Sequence, residues 1–204
     1  MFIYYSTRQV RNQDFRGPDF FVVLNVDGTR ERRSWIVWEE EGRYPDVIVE
    51  LMSPSTAGED TGRKKRIYEE TFRTRNYFVY NPFNGESLQG WYLGIEGRYE
   101  ELTPNERGWL WCESLGLWLG TWEGTLTKET AVWLRLYDRN GNLVLLPEEV
   151  ARQEQERANQ AESERDRERQ RAEQERQEKE AERQRNQQLR NRLLELGVDP
   201  ETLS

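Results

Sequence analysis

Two carboxylates and one lysine stand at positions where the sequence could support metal-assisted hydrolysis. Asp19 enters an apolar run, and Glu50 lies inside the otherwise apolar run 47–52. Burial of an unpaired carboxylate costs several kcal/mol, so each group should be protonated, paired with a cation or bound to a metal ion. An ion pair between Glu50 and an arginine such as Arg73 or Arg75 is the purely structural alternative.

A third carboxylate opens the run that carries Glu50. The alternation of a strand places four of its residues on one face: Asp46, Ile48, Glu50 and Met52. Because Tyr44-Pro45-Asp46 also fits an ordinary turn into a strand, we expect a structural role for Asp46.

The candidate lysine, Lys64, belongs to the basic run 63–66. Ile67 and Tyr68 follow it by three and four residues, so in a helix the three side chains share one stripe and Lys64 faces the sheet. Lys65 points about a quarter of a turn away. We expect Lys65 to face solvent or a phosphate backbone.

Asp60 lies one helical turn before Lys64 and could hold its ammonium group. The two strand carboxylates supply the oxygen ligands that Mg²⁺ prefers, with Mn²⁺ as a substitute cation. The pKa of a metal-bound water is lowered, and a nearby lysine can orient or activate that water. The set predicts hydrolysis of a phosphodiester, with Asp19, Glu50 and Lys64 as catalytic groups.

Composition excludes several other kinds of site. The 204 residues include no histidine and one cysteine, Cys112. Ser-His-Asp and Cys-His triads, imidazole zinc sites, thiolate metal clusters and internal disulfides are therefore excluded. The net charge is −8, and residues 148–204 carry 16 acidic and 12 basic residues against 22 and 18 in the rest. Neither part has the basic character of a non-specific nucleic-acid binder.

No apolar run approaches the roughly 20 residues of a membrane span, and the first residues lack the basic start of a secretory signal. A single cysteine suits a reducing compartment. We expect a soluble, cytoplasmic protein without a membrane partner.

The pattern of apolar runs predicts an α/β fold class. A helix should start near Asp60 or Thr61 and run through Phe72, between strands of a mixed sheet. The predicted strands of this sheet are 20–26, 34–38, 46–52 and 76–80.

Glycine-punctuated apolar pieces between residues 88 and 122 predict a layer of hairpins. The turn sequence Asp138-Arg-Asn-Gly141 predicts a final hairpin between residues 133–137 and 143–146. Pro147 should close this first domain.

A long charged helix is predicted over residues 148–196, followed by a tail at 197–204 that starts with a helix-ending Gly197. Only its last two heptads have apolar core positions, at Leu189, Leu193 and Leu196. A solvated single helix is one reading, and a weak coiled coil that forms a homodimer is the other. Glu-to-Arg pairs three residues apart, each adding roughly 0.2–0.5 kcal/mol, recur at 154/157, 162/165, 164/167, 168/171, 173/176, 180/183 and 182/185.

Residues 1–147 resemble the Uma-two family of restriction endonucleases, within the PD-(D/E)XK nuclease superfamily. The resemblance implies a restriction-endonuclease-like fold, bound Mg²⁺ and DNA as the substrate. It rests on Gly17-Pro-Asp-Phe-Phe-Val-Val23, Tyr44-Pro-Asp-Val-Ile-Val-Glu-Leu-Met-Ser-Pro-Ser-Thr56, Asp60, Lys64, Tyr68 and Tyr77-Phe-Val-Tyr-Asn-Pro82.

The family pattern implies that Asp19 is the aspartate of the first half-motif and Glu50 the acidic residue of the second. Met52 replaces the lysine expected two residues after Glu50, and the pattern places that lysine on the following helix, which fits Lys64. The backbone carbonyl of Leu51 is the implied third metal ligand.

The family pattern usually starts some tens of residues earlier, with a helix that carries an acidic residue. This chain begins within an early strand of the pattern, so we expect the N-terminal part of the pattern to be missing from it. That expectation keeps a second reading open, in which an inactive nuclease-fold remnant acts as a binding or interaction protein through its C-terminal helix.

Overall fold

The apolar run that carries Glu50 forms strand β5 (Val47–Leu51) of a five-stranded mixed sheet. Strand β5 is parallel to β6 (Asn76–Tyr80) and antiparallel to the edge strand β3 (Phe20–Val22). Strands β7 (Gln89–Leu93) and β8 (Tyr99–Glu101) complete the order β3-β5-β6-β7-β8. The fold is therefore mixed α/β and restriction-endonuclease-like, as the sequence predicts.

A helix over residues 57–72, here called the crossover helix, connects the parallel strands β5 and β6. It is built from Ala57–Glu59, Asp60–Lys64, Lys65–Ile67 and Tyr68–Phe72, and the second and fourth of these segments are wide π turns. The helix starts earlier than predicted because the carbonyl of Ser53 already accepts the N–H of Ala57 at 3.0 Å. It ends where Arg73 turns to a left-handed conformation, with φ of 56°.

Two apolar layers cover the sheet. The crossover helix packs on one face, over a core that includes Ile48, Tyr68 and Tyr77. The other face, with Val49 and Phe78, packs against a second antiparallel sheet. That second sheet has the order β11-β10-β9 and consists of β9 (Leu110–Cys112), β10 (Leu117–Leu126) and β11 (Glu129–Tyr137).

A small three-stranded sheet belongs to the same unit as the crossover helix. Strand β1 (Ile3–Tyr4) pairs with β2 (Phe15–Arg16) and with β4 (Trp35–Ile36). The predicted strands 20–26 and 34–38 are both shorter than expected. The left-handed residue Asn25 bends the first, and a 3₁₀ turn over Val37–Glu39 ends the second.

The predicted final hairpin forms only next to its turn, where the N–H of Val144 donates to the carbonyl of Leu136 at 2.9 Å. Strand β11 pairs along its whole length with β10, and one isolated bridge, from Tyr137 to Leu143, joins it to the segment after the Asp138 turn. The long β10–β11 hairpin was not predicted, and its turn lies at Thr127 and Lys128, both with positive φ. Positive φ at both central positions usually selects Gly or Asn, so this turn carries no recognisable sequence signal.

The structure, a computed structural model, describes residues 1–7 and 15–195, with side chains of the last helix described as far as Arg192. It divides the chain into two compact units, Met1–Val144 and Leu145–Ser204. The second unit contains the C-terminal helix Pro147–Glu195. No helix among the described residues is long and apolar enough to cross a membrane.

The C-terminal helix is exposed on all sides from Val150 to Arg192. In that described part, none of the seven predicted Glu-to-Arg pairs forms an ion pair. Leu189 is 59% exposed. The coiled coil stays a prediction, because the side chains of Leu193 and Leu196, the helix end at Gly197 and the tail lie outside the described residues.

Candidate active site

Four side chains spaced four residues apart line up on the inner side of the crossover helix. In an α-helix of 3.6 residues per turn such a row drifts by about 40° at each step. The π turns contain more residues per turn and take up this drift, and such turns are frequent at functional sites. The row consists of Asp60, Lys64, Tyr68 and Phe72, which are buried except for Lys64, whose side chain is 20% exposed.

Glu50 faces this row from strand β5 and is 1% exposed. Its Oε2 accepts a hydrogen bond from Lys64 Nζ at 3.1 Å, and its Oε1 accepts one from the Tyr68 hydroxyl at 2.7 Å. The predicted alternative of an ion pair with Arg73 or Arg75 is therefore wrong. Burial raises the pKa of Glu50, while the Tyr68 hydrogen bond and the Lys64 charge oppose that rise.

Lys64 lies between two carboxylates, as its helical position predicts. Its Nζ is 2.8 Å from Asp60 Oδ1, an ion pair one turn apart on the helix. Burial acts to lower the pKa of Lys64, but the attraction of Asp60 and Glu50 outweighs it, and the pKa is raised. Lys64 is therefore a cation at neutral pH.

Asp60 is held by its backbone as well. Its side chain is 1% exposed, and its carbonyl accepts a hydrogen bond from the Tyr77 hydroxyl at 2.8 Å. Oδ1 lies 2.8 Å from the Lys64 ammonium, so Asp60 and Glu50 share this one cation.

Asp19 lies at the start of the edge strand next to Glu50. The register pairs Phe20 with Val49, so Asp19 falls opposite Glu50 when the pairing is continued by one residue. The Oδ2 atom of Asp19 accepts the backbone N–H of Leu51 at 2.7 Å, and its side chain is exposed. The structure thus brings Asp19, Glu50 and Leu51 together. The contact of Leu51 with Asp19 is made by its N–H, whereas the predicted metal ligand is its carbonyl.

Asp46 and Met52, which were predicted to share a strand face with Glu50, both have structural roles. Asp46 Oδ2 accepts the N–H of Leu24 at 2.8 Å, and Arg75 Nε is 3.9 Å from Oδ1, which fits the structural role expected for Asp46. Met52 is buried in the core beneath the crossover helix. No lysine could occupy that position without losing its hydration.

Lys65 does not lie where the sequence predicts. Its Nζ stands 3.8 Å from the centre of the Trp91 ring, a cation–π contact with β7, and its side chain is half-buried. The prediction also missed that the Tyr68 hydroxyl holds Glu50. The spacing of Asp60, Lys64 and Tyr68 by four residues is the signal that could have shown it.

The donor set suits a hard cation in its chemistry. The carboxylates of Asp19 and Glu50 are the oxygen ligands that Mg²⁺ prefers, and a cation would offset the second carboxylate beside Lys64. Among the described residues, however, no three acidic side chains converge into a metal-binding cluster. Any metal would therefore depend on two side chains together with backbone or water oxygens.

No curated protein matches the chain. The profile of the Uma2 family, whose description reads "Putative restriction endonuclease", matches residues 2–127, a span that contains Asp19, Glu50 and Lys64. The match covers more than half of the 204 residues. The chain therefore belongs to the Uma2 family of restriction-endonuclease-like proteins.

Proposed function

We propose that the unit Met1–Val144 is a Mg²⁺-dependent endonuclease that hydrolyses phosphodiester bonds of DNA. Asp19 and Glu50 would bind the metal ion, together with the carbonyl of Leu51, and Lys64 would act on the phosphate or the attacking water. The observation that carries the proposal is the 3.1 Å contact between Lys64 Nζ and Glu50 Oε2, made at the strand end that also holds Asp19.

Each residue of the site has a separate task in this proposal. When bound, Mg²⁺ supplies a water of lowered pKa and offsets phosphate charge. Lys64 stays protonated because its pKa is raised, so it stabilises negative charge and orients a water rather than removing a proton. Tyr68 holds one oxygen of Glu50 and fixes the direction of that carboxylate.

A second candidate is a nuclease fold that no longer cuts and acts by binding, with the C-terminal helix as its interaction segment. One observation favours it: both oxygens of Glu50 are occupied by donors of this chain, and the side chain is 1% exposed. In that case the Glu50 and Lys64 pair only stabilises the core.

Calorimetric titration with Mg²⁺ separates the two candidates. The endonuclease proposal expects Mg²⁺ binding that is lost in Asp19→Asn and Glu50→Gln, and plasmid cleavage that is lost in these variants and in Lys64→Ala. Glu41→Gln is the matched control, because the Glu41 side chain is 83% exposed. A folded wild-type protein that neither binds Mg²⁺ nor cuts DNA with Mg²⁺ or Mn²⁺ would contradict the proposal and favour the inactive remnant.

A further inference from the structure

An open cleft of about 590 Å³ lies beside the crossover helix, on the side next to the row that holds Lys64. We call it the arginine cleft, because Arg63 and Arg66 of the helix and Arg16 of β2 line it. Tyr5 also lines it, and the Arg16 guanidinium stands 5.8 Å from the centre of the Tyr5 ring. The cleft therefore lies between the small sheet and the helix that carries Lys64.

The charge of the arginine cleft is locally positive in an acidic chain. Arg63 and Arg66 are exposed, and neither forms an ion pair with any carboxylate in the part of the chain that the structure describes. The acidic side chain of the cleft, Glu70, is 3.1 Å from Arg98 and is thereby already paired. Two guanidinium groups consequently line the cleft without a carboxylate partner among the described residues.

The cleft and the candidate active site share structure. Arg63 directly precedes Lys64 in the first π turn. Ile67, which lines the cleft, directly precedes Tyr68, the residue whose hydroxyl donates a hydrogen bond to Glu50. A polyanion bound in the cleft would pass close to Lys64.

We propose that the arginine cleft binds the sugar-phosphate backbone of duplex DNA beside the bond to be cut. The inference rests on the proposed function for its ligand. Guanidinium groups donate paired hydrogen bonds to phosphate oxygens and remain charged at any working pH. Because the chain carries a net charge of −8, long-range attraction cannot bring DNA to it, and a local cluster must supply the affinity.

The test is the salt dependence of duplex binding, measured by fluorescence anisotropy without divalent metal. Each phosphate neutralised adds about 0.9 to the slope of log affinity against log salt. The double variant Arg63→Ala/Arg66→Ala should flatten that slope by about two units. The affinity ratio of wild type to variant should then shrink on the order of tenfold between about 50 mM and about 200 mM salt.

The matched control is Arg107→Ala/Arg139→Ala, which removes the same charge from exposed positions next to the second sheet. Its slope should stay that of the wild type. Equal slopes for the cleft variant and the control would overturn the inference, as would a wild type that binds duplex RNA but no DNA. A protein that binds DNA through the cleft but never cuts it would retain the inference while the endonuclease proposal fails. If the cleft variant binds and cuts DNA like the wild type, the cleft inference fails while the endonuclease proposal stands.

Discussion

Lys64 places its ammonium nitrogen 3.1 Å from Oε2 of Glu50, although 14 residues separate them in the chain. The parallel strands β5 and β6 require a crossover connection. The crossover helix packs on the sheet, so its inner face contacts β5, the strand that precedes it. Asp60 joins the same buried cluster, so two carboxylates share one ammonium group. When both are ionised, the cluster keeps one negative charge that only a proton or another cation can offset.

Replacing the shared cation should destabilise the protein. Lys64→Met leaves Glu50 and Asp60 buried without a positive partner, and breaking a buried ion pair costs about 3–5 kcal/mol. The raised pKa of Lys64 means that its stabilising effect is complete at neutral pH and is lost only at pH values above its unfolded pKa. Urea unfolding near neutral pH should show the full loss in the variant.

The same variant should recover stability in acid. Burial raises the pKa of Glu50, so acidification protonates it sooner than an ordinary glutamate and removes one of the two unpaired charges. The difference in unfolding free energy between wild type and Lys64→Met should therefore narrow as the pH falls. Lys179→Met, on the exposed C-terminal helix, should change stability at neither neutral nor acidic pH. A constant difference at the two pH values would contradict an ionised cluster.

The hydroxyl of Tyr68 should contribute more to stability than another buried tyrosine hydroxyl. Tyr68→Phe removes the 2.7 Å hydrogen bond to Glu50, and bonds to charged groups contribute about 1.5–3 kcal/mol. Tyr80→Phe removes a 2.8 Å bond to the neutral carbonyl of Val132, where about 0.5–1.5 kcal/mol is expected. Both rings stay in place, so urea unfolding compares only the hydroxyls. Equal losses would mean that Glu50 is protonated in the native state.

Much of the site could be predicted because it depends on short-range rules. Strand alternation placed Glu50 on one face with Ile48 and Met52, and helical spacing turned Lys64 toward the sheet, as the structure shows. Strand β6 was predicted with its exact bounds, since an apolar run between turn residues has little freedom.

The failures come from features without a local signal. The π turns that align Tyr68 with Glu50 have no signal in the local sequence, and the first begins at Asp60, whose carbonyl accepts the distant Tyr77 hydroxyl. Lys65 is half-buried because Trp91, a residue of a later strand, forms a cation–π contact with its ammonium group. The β10–β11 hairpin was missed because Thr127 and Lys128 occupy a turn that usually takes Gly or Asn.

The single thiol should be almost inert in the folded protein. Cys112 is fully buried, and burial raises its pKa to about 11. At about pH 8 only roughly one thiol in a thousand is then ionised, and the thiolate is the reactive form. Iodoacetamide should label the native protein very slowly and the urea-unfolded protein completely, which serves as the internal control. Native labelling at the rate of a free cysteine would contradict the burial.

The C-terminal helix should unfold gradually on heating. Its 49 residues exceed the length at which isolated helices are marginal. Its side chains are exposed from Val150 to Arg192, so this described part lacks the packing that would make its unfolding cooperative. Far-ultraviolet circular dichroism should therefore show a broad helical decline. All eight tryptophans lie between Trp35 and Trp133, so their fluorescence reports only the first unit and should change in a sharp transition.

Two substitutions sharpen this last test. Ala158→Gly and Ala172→Gly lie on the exposed helix, and each should cost the helix about 1 kcal/mol. Together they should move the broad helical decline to lower temperature and leave the tryptophan transition where it is. Sedimentation at rising protein concentration tests the homodimer in parallel. A helix that dimerises unfolds cooperatively, and its unfolding temperature rises with protein concentration. A sharp, concentration-dependent helical transition would contradict a solvated single helix and support the coiled coil.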